Sequence, residues 1–220
     1  MEITWVGQAC FRLKGKTATV VTDPFDPKMI GLSLPKMTAD IVSVSHEHGD
    51  HNNSGAVRGN ELAPKILKGP GEYEVKGVSI HGVASWHDMT GGQERGKNTI
   101  FVVEVDGVRI VHLGDLGQEK LTEEQLAEIG DVDVLLIPVG GFYTIDAQAA
   151  VEIVAQIEPK VVIPMHYGVA GMNSELAVKL APVDNFIKAL GAVPKNMTTY
   201  QAKIETLPQE MELVILERKS

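Results

Sequence analysis

The stretch His46-Glu47-His48-Gly49-Asp50-His51 directly follows a short apolar run, Ile41-Val42-Ser43-Val44. Such a run reads as a strand, so the hexapeptide falls at a strand's end. His46 and His48, two positions apart, can project to the same side and hold one divalent ion between two imidazoles. Gly49 permits a sharp turn, after which Asp50 and His51 can face a second ion nearby. Neutral imidazole and carboxylate are the ligands that first-row divalent metals accept. Three of the chain's seven histidines fall within these six residues, a density that a merely solvated acidic loop has no reason to show.

Two ions need more ligands than one hexapeptide supplies, and the chain offers them at other strand ends. His87 follows a strand-like run from Val78 to Trp86. Asp115 closes His112-Leu113-Gly114-Asp115, just past a run beginning at Val108, and His166 follows Val161-Val162-Ile163-Pro164-Met165. Functional groups gather where a buried element meets a loop, and this repeated placement is the second argument for a metal site.

The rest of the chain supports a sheet-rich frame. Phe11-Arg12-Leu13 and Ala18 to Val21 flank Lys14-Gly15-Lys16 as a hairpin, and Asp106-Gly107 between Ile100–Val105 and Val108–Leu113 predicts another. Thr122-Glu123-Glu124-Gln125 is a capping box with Gly130 as the stop. Asp146 predicts the start of a helix that runs to about Ile157, with Val151, Val154, Ala155 and Ile157 as its apolar stripe. Val183, Phe186, Ile187 and Leu190 predict a third helix before Gly191. Val134–Ile137 and Val161–Ile163, wholly apolar, read as strands covered on both faces. Helices packed outside a sheet sandwich satisfy this pattern.

Composition narrows the function. The 220 residues, 44% hydrophobic and 22% charged, suit one globular domain. Twenty Lys+Arg against twenty-nine Asp+Glu leave a net charge of −9, which repels phosphate backbones, so no nucleic-acid partner is expected. One cysteine makes no internal disulfide and fits a reducing compartment; Cys10, in Ala9-Cys10-Phe11, reads as core. Met1-Glu2-Ile3-Thr4-Trp5 shows no basic, then apolar, leader, and no run nears the ~20 apolar residues of a membrane span. The expectation is a cytoplasmic protein without a membrane partner; oligomeric state is not legible.

At these residues the chain resembles the metallo-β-lactamase superfamily. The pattern His-x-His-x-Asp-His, followed by His, Asp and His at later strand ends, runs in the family's order from Thr22-Asp23-Pro24 to Pro164-Met165-His166-Tyr167. Within it the chain is similar to the branch of L-ascorbate-6-phosphate lactonase and uncharacterised zinc-dependent hydrolases. The resemblance implies an α/β fold, a four-layer αββα sandwich, with residues 1–220 forming a single hydrolase domain. It implies that His46, His48 and His87 hold one metal, that Asp50, His51 and His166 hold another, and that Asp115 bridges them. A true metallo-β-lactamase uses cysteine where Asp115 stands, and the related di-iron oxygen reductases carry glutamate where His48 stands, so antibiotic and oxygen chemistry are disfavoured. Relatives in this branch often read Gly-His-Ala where this chain has Gly7-Gln8-Ala9, which puts pH dependence or specificity in question.

The expected cofactors are two divalent ions, zinc first, with manganese or iron as alternatives. With Asp50, Asp115 and a bridging hydroxide they leave a site near +1, so the metals, not the acidic surface, draw an anionic substrate. Such ions would supply hydroxide near pH ~7, and the expected reaction is hydrolysis of a lactone, ester or phosphoester of a small anionic metabolite. Asp115 or His112 then returns a proton to the leaving group, which makes Asp50, Asp115 and His112 the catalytic set. Asp23 can fix the tautomer of a ligand histidine, although a turn aspartate before proline reads equally well. Tyr167 can hydrogen-bond substrate or close the pocket. The Gly-rich segment from Asp88 to Lys97 reads as a lid on which Arg95 and Lys97 clamp an anion, against a merely solvated loop. Gln8 joins these substrate or supporting candidates; His81 reads as a solvated strand residue. The competing readings are a phosphodiesterase or nuclease of the same superfamily and a non-catalytic, metal-stabilised module.

Overall fold

The run before the histidine cluster is strand Ile41–Val44, with all four residues buried. It lies fifth in a six-stranded sheet ordered Tyr200–Gln201, Glu2–Gly7, Cys10–Lys14, Thr19–Thr22, Ile41–Val44, Lys65–Lys68. This computed structural model describes residues 1–219. Cys10–Lys14 and Thr19–Thr22 pair antiparallel, so the first predicted hairpin is present. Along the sheet, Ile3, Phe11, Leu13, Val20, Ile41 and Leu67 enter one buried cluster, while Val6, Cys10, Val21, Val42 and Val44 enter another. That is the period-two alternation of a pleated strand covered on both faces.

A second sheet has eight strands, ordered Lys195–Met197, Glu212–Leu216, Val161–Met165, Val134–Pro138, Val108–His112, Lys97–Val105, Val78–Trp86, Gly71–Val75. The Asp106-Gly107 turn joins two of them with positive φ at both residues, 54° and 78°, as the predicted hairpin requires. From Val108–His112 through Val134–Pro138 and Val161–Met165 to Glu212–Leu216 the pairing is parallel. Helices Glu123–Ile129 and Ala147–Ile157 make the first two crossovers. A third, two-stranded sheet pairs Met37–Ala39 with Val57–Gly59.

The first buried cluster contains residues of both large sheets, which therefore pack face to face. Short helices Pro27–Ile30 and Ser174–Ala177 bring Ile30, Leu176 and Ala177 to the cluster on the far side of the six-stranded sheet. Helices Glu123–Ile129, Ala147–Ile157 and Val183–Leu190 supply Ile129, Ile153 and Phe186 beside the eight-stranded one. The layers run helix, sheet, sheet, helix. Every residue of Val134–Pro138 and Val161–Met165 is buried, as strands covered by a sheet on one face and helices on the other must be.

Helix starts follow the predicted chemistry. Thr122 accepts from Gln125 N–H and the Gln125 side chain accepts from Thr122 N–H, completing the box, and Gly130 follows the last turn. Asp146 accepts from the N–H groups of Gln148 and Ala149, and the chain leaves the helix at Glu158 with φ 51°. The predicted stripe on this helix needs correction. The buried residues are Ala149, Ala150, Ile153, Val154 and Ile157, whereas Val151 is half-buried and Ala155 exposed. Ile153, bulky and β-branched, draws the buried face round to itself, about one residue from the expected direction.

One edge of the sandwich collects the site. Glu2–Gly7 and Thr19–Thr22 are both antiparallel to Cys10–Lys14, and Ile41–Val44 is parallel to Thr19–Thr22. All three end at the same edge. Val78–Trp86 and Val108–His112 are both antiparallel to Lys97–Val105, and Val161–Met165 follows the same direction. The next residues along are Gln8, Asp23, His46, His87, Asp115 and His166. Among the described residues no helix is long and apolar enough to cross a membrane.

Candidate metal centre

Two groups of potential ligand atoms converge at this edge. Ligand atoms of His46, His48 and His87 lie within 4.8 Å of one another, as do those of Asp50, His51, Asp115 and His166. Ring centroids of the first trio are 4.6 to 5.1 Å apart. Asp115 sits between the groups. Its Oδ2 is 3.2 Å from His51 Nε2, 3.2 Å from His166 Nε2, 3.4 Å from His87 Nε2 and 4.0 Å from His46 Nε2. Asp50 Oδ2 is 3.3 Å from His51 Nε2 and 3.9 Å from His166 Nε2. Neighbouring ligands on a zinc ion with bonds of 2.0–2.2 Å stand roughly 3.4 Å apart, so these separations suit a shared cation.

Unmet bonding capacity points the same way. His46 Nε2, His51 Nε2 and Asp115 Oδ1 are buried without a hydrogen-bond partner. Buried polar atoms seldom stay unpaired, and a metal ion satisfies lone pairs that no N–H group reaches. The donor set therefore fits divalent metal.

The supporting contacts orient those lone pairs inward. Asp23, fully buried with φ 37°, follows strand Thr19–Thr22. It accepts from Ser45 N–H at 2.8 Å, Ser45 Oγ–H at 2.5 Å and His51 Nδ1–H at 2.8 Å. Ser45 Oγ spends its one proton on Asp23, so it accepts from His46 Nδ1–H at 2.9 Å. One carboxylate thus sets the tautomers of a histidine in each group and leaves both Nε2 atoms free to face a cation. Asn98 Oδ1 accepts from Asp115 N–H at 3.0 Å, while its amide donates to Ser85 Oγ and Leu113 O. The Asp115 turn is fixed by these contacts. Ser45 and Asn98 are buried polar residues that sequence reasoning missed; position beside a strand end was the one available signal.

Backbone packing is equally close. A Cβ on Gly117 would lie 2.3 Å from the His87 carbonyl carbon, and one on Gly140 would lie 2.0 Å from His166 O. Only glycine lets these segments press against the two ligand-bearing turns.

The charges of the cluster depend on one another. Burial alone would raise Asp115, yet His166 and His51 hold it well below the usual carboxylate range. Burial would lower His51, but Asp115 and Asp50 raise it well above its ordinary value. His166, with burial likewise outweighed by Asp115, is raised to about 9. His46, desolvated and next to His51, is lowered to about 3.

Of the other candidates Gln8 alone reaches the ligand groups. His112 does not meet the shuttle role given it above. Its Nε2–H donates to Ala9 O at 2.8 Å and its Nδ1 accepts from Gly114 N–H at 3.1 Å, so neither nitrogen is free. It braces the turn that carries Asp115. Tyr167 is buried against Trp5, the ring centres 5.0 Å apart and the planes tilted by 32°, and it does not line the cleft. Cys10 is core, as expected, and His81, in the middle of its strand, meets Glu128 of helix Glu123–Ile129 at 2.9 Å. Gln8 is fully buried, its Nε2 2.6 Å from His166 Nε2 and 3.2 Å from Asp50 Oδ2.

A cleft of about 580 Å³ opens onto the metal groups and is lined by His48, Asp50, His87 and Asp115 together with Arg95, Tyr143 and Lys179. The loop carrying Arg95 is pinned rather than free. The Asp88 carboxylate accepts from the N–H groups of Thr90, Gly92, Glu94 and Arg95 at 2.7 to 3.0 Å. Arg95 donates to Tyr143 O and lies 5.4 Å from its ring centre; Lys179 Nζ is 3.1 Å from the Tyr143 hydroxyl. Lys97 opens strand Lys97–Val105 and lines, with Arg95, His46 and His48, an adjoining cavity of about 610 Å³. Arg95 thus borders both cavities, beside the expected Lys97 in one and beside Lys179 in the other. Tyr143 follows a buried strand as the ligands do; Lys179 carried no signal in the sequence.

Comparison with known proteins agrees with this geometry. The Beta-lactamase superfamily domain matches residues 2–166. A UPF0173 metal-dependent hydrolase of Archaeoglobus fulgidus is 34% identical over 200 residues, covering 76% of this chain and 83% of its own. One from Thermoplasma acidophilum is 32% identical with the same shares. The crystal structure of a candidate Zn-dependent hydrolase of the metallo-β-lactamase superfamily from Thermotoga maritima is 41% identical, covers 99% of both chains and superposes with a TM-score of 0.79. With its αββα layers and its caged histidines and aspartates, the chain belongs to the metallo-β-lactamase superfamily, and it is one of that superfamily's metal-dependent hydrolases.

Proposed function

We propose that the chain holds two divalent ions, zinc first, and hydrolyses a lactone, ester or phosphoester of a small anionic metabolite. One observation carries the reading: a single carboxylate oxygen, Asp115 Oδ2, lies within 4.0 Å of four imidazole nitrogens drawn from both ligand groups. His46, His48 and His87 would hold one ion, Asp50, His51 and His166 the other, with Asp115 between. Ions so held supply a Lewis acid and a water ionising near pH ~7. Asp115 is the group left to carry a proton to the leaving atom, because both nitrogens of His112 are engaged.

Arg95 and Lys179, both within 5.6 Å of the Tyr143 ring centre at the cleft wall, suit a phosphate or carboxylate on the substrate. Among the described residues neither has a carboxylate within 4.0 Å. Glu47 and Glu175 line the same cleft and the net charge is −9. A long polyanion is repelled by that field, whereas a small anion reaching two cations is not.

The test joins elemental analysis of purified protein to a panel of lactones, phosphodiesters and thioesters. Two ions per chain and turnover of an anionic lactone or ester are expected, with Asp115→Ala losing both bridged ions and turnover. Unchanged turnover in that variant defeats the reading. Turnover of phosphodiesters alone supports the phosphodiesterase alternative, and bound metal without any turnover supports a structural module.

A further inference from the structure

Gln8 sits where a ligand would. Strand Glu2–Gly7 ends at the site edge, and Gln8 then adopts φ 51°, facing His166, which has φ 54°. Two non-glycine residues in the left-handed region opposite one another are costly, and such strain persists where the surroundings hold it for a purpose. The turn is fixed from outside: Gln8 O accepts from Trp5 Nε1–H at 2.9 Å and from His166 N–H at 3.2 Å. Its side chain is fully buried.

The carboxamide ends within the second ligand group. Nε2 is 2.6 Å from His166 Nε2 and 3.2 Å from Asp50 Oδ2, while Oε1 is buried with no partner. That arrangement conflicts with a loaded site. An imidazole nitrogen that ligates an ion has no lone pair left to accept from an amide N–H, and no proton to donate. A half-turn about the Cγ–Cδ bond exchanges oxygen for nitrogen without moving any other atom. It then places the amide oxygen beside Asp50 Oδ2 and His166 Nε2. Once His166 Nε2 has given up its proton to ligate, these three electron-rich atoms repel one another unless the cation lies among them.

We propose that the Gln8 amide oxygen is an additional ligand of the ion held by Asp50, His51 and His166. The inference rests on the two-ion reading and deepens it: the second site is richer in oxygen than the first, which is all imidazole apart from Asp115. An oxygen-rich site favours harder ions, so the two positions differ in metal preference, with manganese accepted more readily at the second.

Competition with a chromophoric chelator, together with the visible spectrum of the cobalt-loaded protein, tests this directly. Gln8→Leu should weaken the second ion by at least the roughly 10- to 100-fold that loss of a merely supporting contact costs, and leave the first within about twofold. The cobalt absorption should intensify as one centre loses a ligand. Gln8→Glu, equal in size and anionic, should hold the second ion more tightly than the parent and keep its spectrum, so the proposal stays testable even if the leucine variant fails to fold. Two ions bound with unaltered affinity and spectrum in Gln8→Leu, or weaker binding in Gln8→Glu, overturn the role of Gln8 alone. A parent protein that binds fewer than two ions overturns the two-ion reading and this proposal together.

Discussion

Asp23 touches two ligand histidines, directly and through Ser45, without lining the cleft. Asp23→Asn keeps the shape but turns an N–H group toward His51 or Ser45, so both tautomers lose their anchor. The variant should bind zinc about 10- to 100-fold more weakly at both positions, read by chelator competition; an effect on one position alone would contradict the shared-anchor account. Charge gives a second test. In the metal-free chain His166 is raised to about 9 by Asp115 against burial, and His51 moves the same way. Their stabilising contribution is complete below the unfolded value of about 6.5 and is lost as pH climbs toward 9. His46, His87 and His112 are lowered by burial, so stability also falls as pH drops below about 6.5, where only the unfolded chain takes up their protons. The metal-free melting temperature should peak near pH ~6.5 and decline on both sides. Zinc should flatten the alkaline limb, because the ion replaces the protons. A melting temperature that rises steadily to pH 9 in chelator would refute this.

Each strand end that bears chemistry was legible because a buried run stops abruptly at a polar residue, as at Val44 before Ser45 and Met165 before His166. The hairpin turns and helix caps were legible because each depends on one or two local residues, Asp106-Gly107 and Thr122 among them. What escaped depends on neighbours distant in sequence. The buried face of Ala147–Ile157 follows from what packs on it, and Asn98 acquires its role only once Lys97–Val105 lies beside the Asp115 turn. Lys179 meets Tyr143 across 36 positions, and no local pattern announces that contact. The glycines behind the ligand turns provide the element-scale test. Gly117→Ala forces the backbone away from His87, whose carbonyl carbon would lie 2.3 Å from the new methyl. It should release the ion held by His46, His48 and His87 while the other is retained. Thr122→Ala, which removes a helix cap far from the site, should instead cost about 1 kcal/mol of stability with metal content unchanged. Full metal content in Gly117→Ala would show that the close approach is incidental.

Across the molecule, an acidic body of net charge −9 surrounds a cleft whose wall carries Arg95 and Lys179. This contrast directs anions to one place and disfavours long polyanions. Arg95→Ala and Lys179→Ala should each raise KM for an anionic substrate about tenfold, the effect of one charge-assisted contact, and leave kcat/KM for a neutral ester unchanged. Equal losses on both substrates would assign the two cations to structure rather than to selection. The large sheets matter to function chiefly because their strand directions deliver seven candidate ligand side chains to a common edge, and every prediction above depends on that convergence. An anomalous-difference map at the zinc absorption edge, from crystals grown with excess zinc, measures it most directly. The account predicts two peaks roughly 3.5–4 Å apart, one against His46, His48 and His87, the other against Asp50, His51 and His166, with Asp115 touching both. A single peak, or zinc bound elsewhere while this cage stays empty, would contradict it.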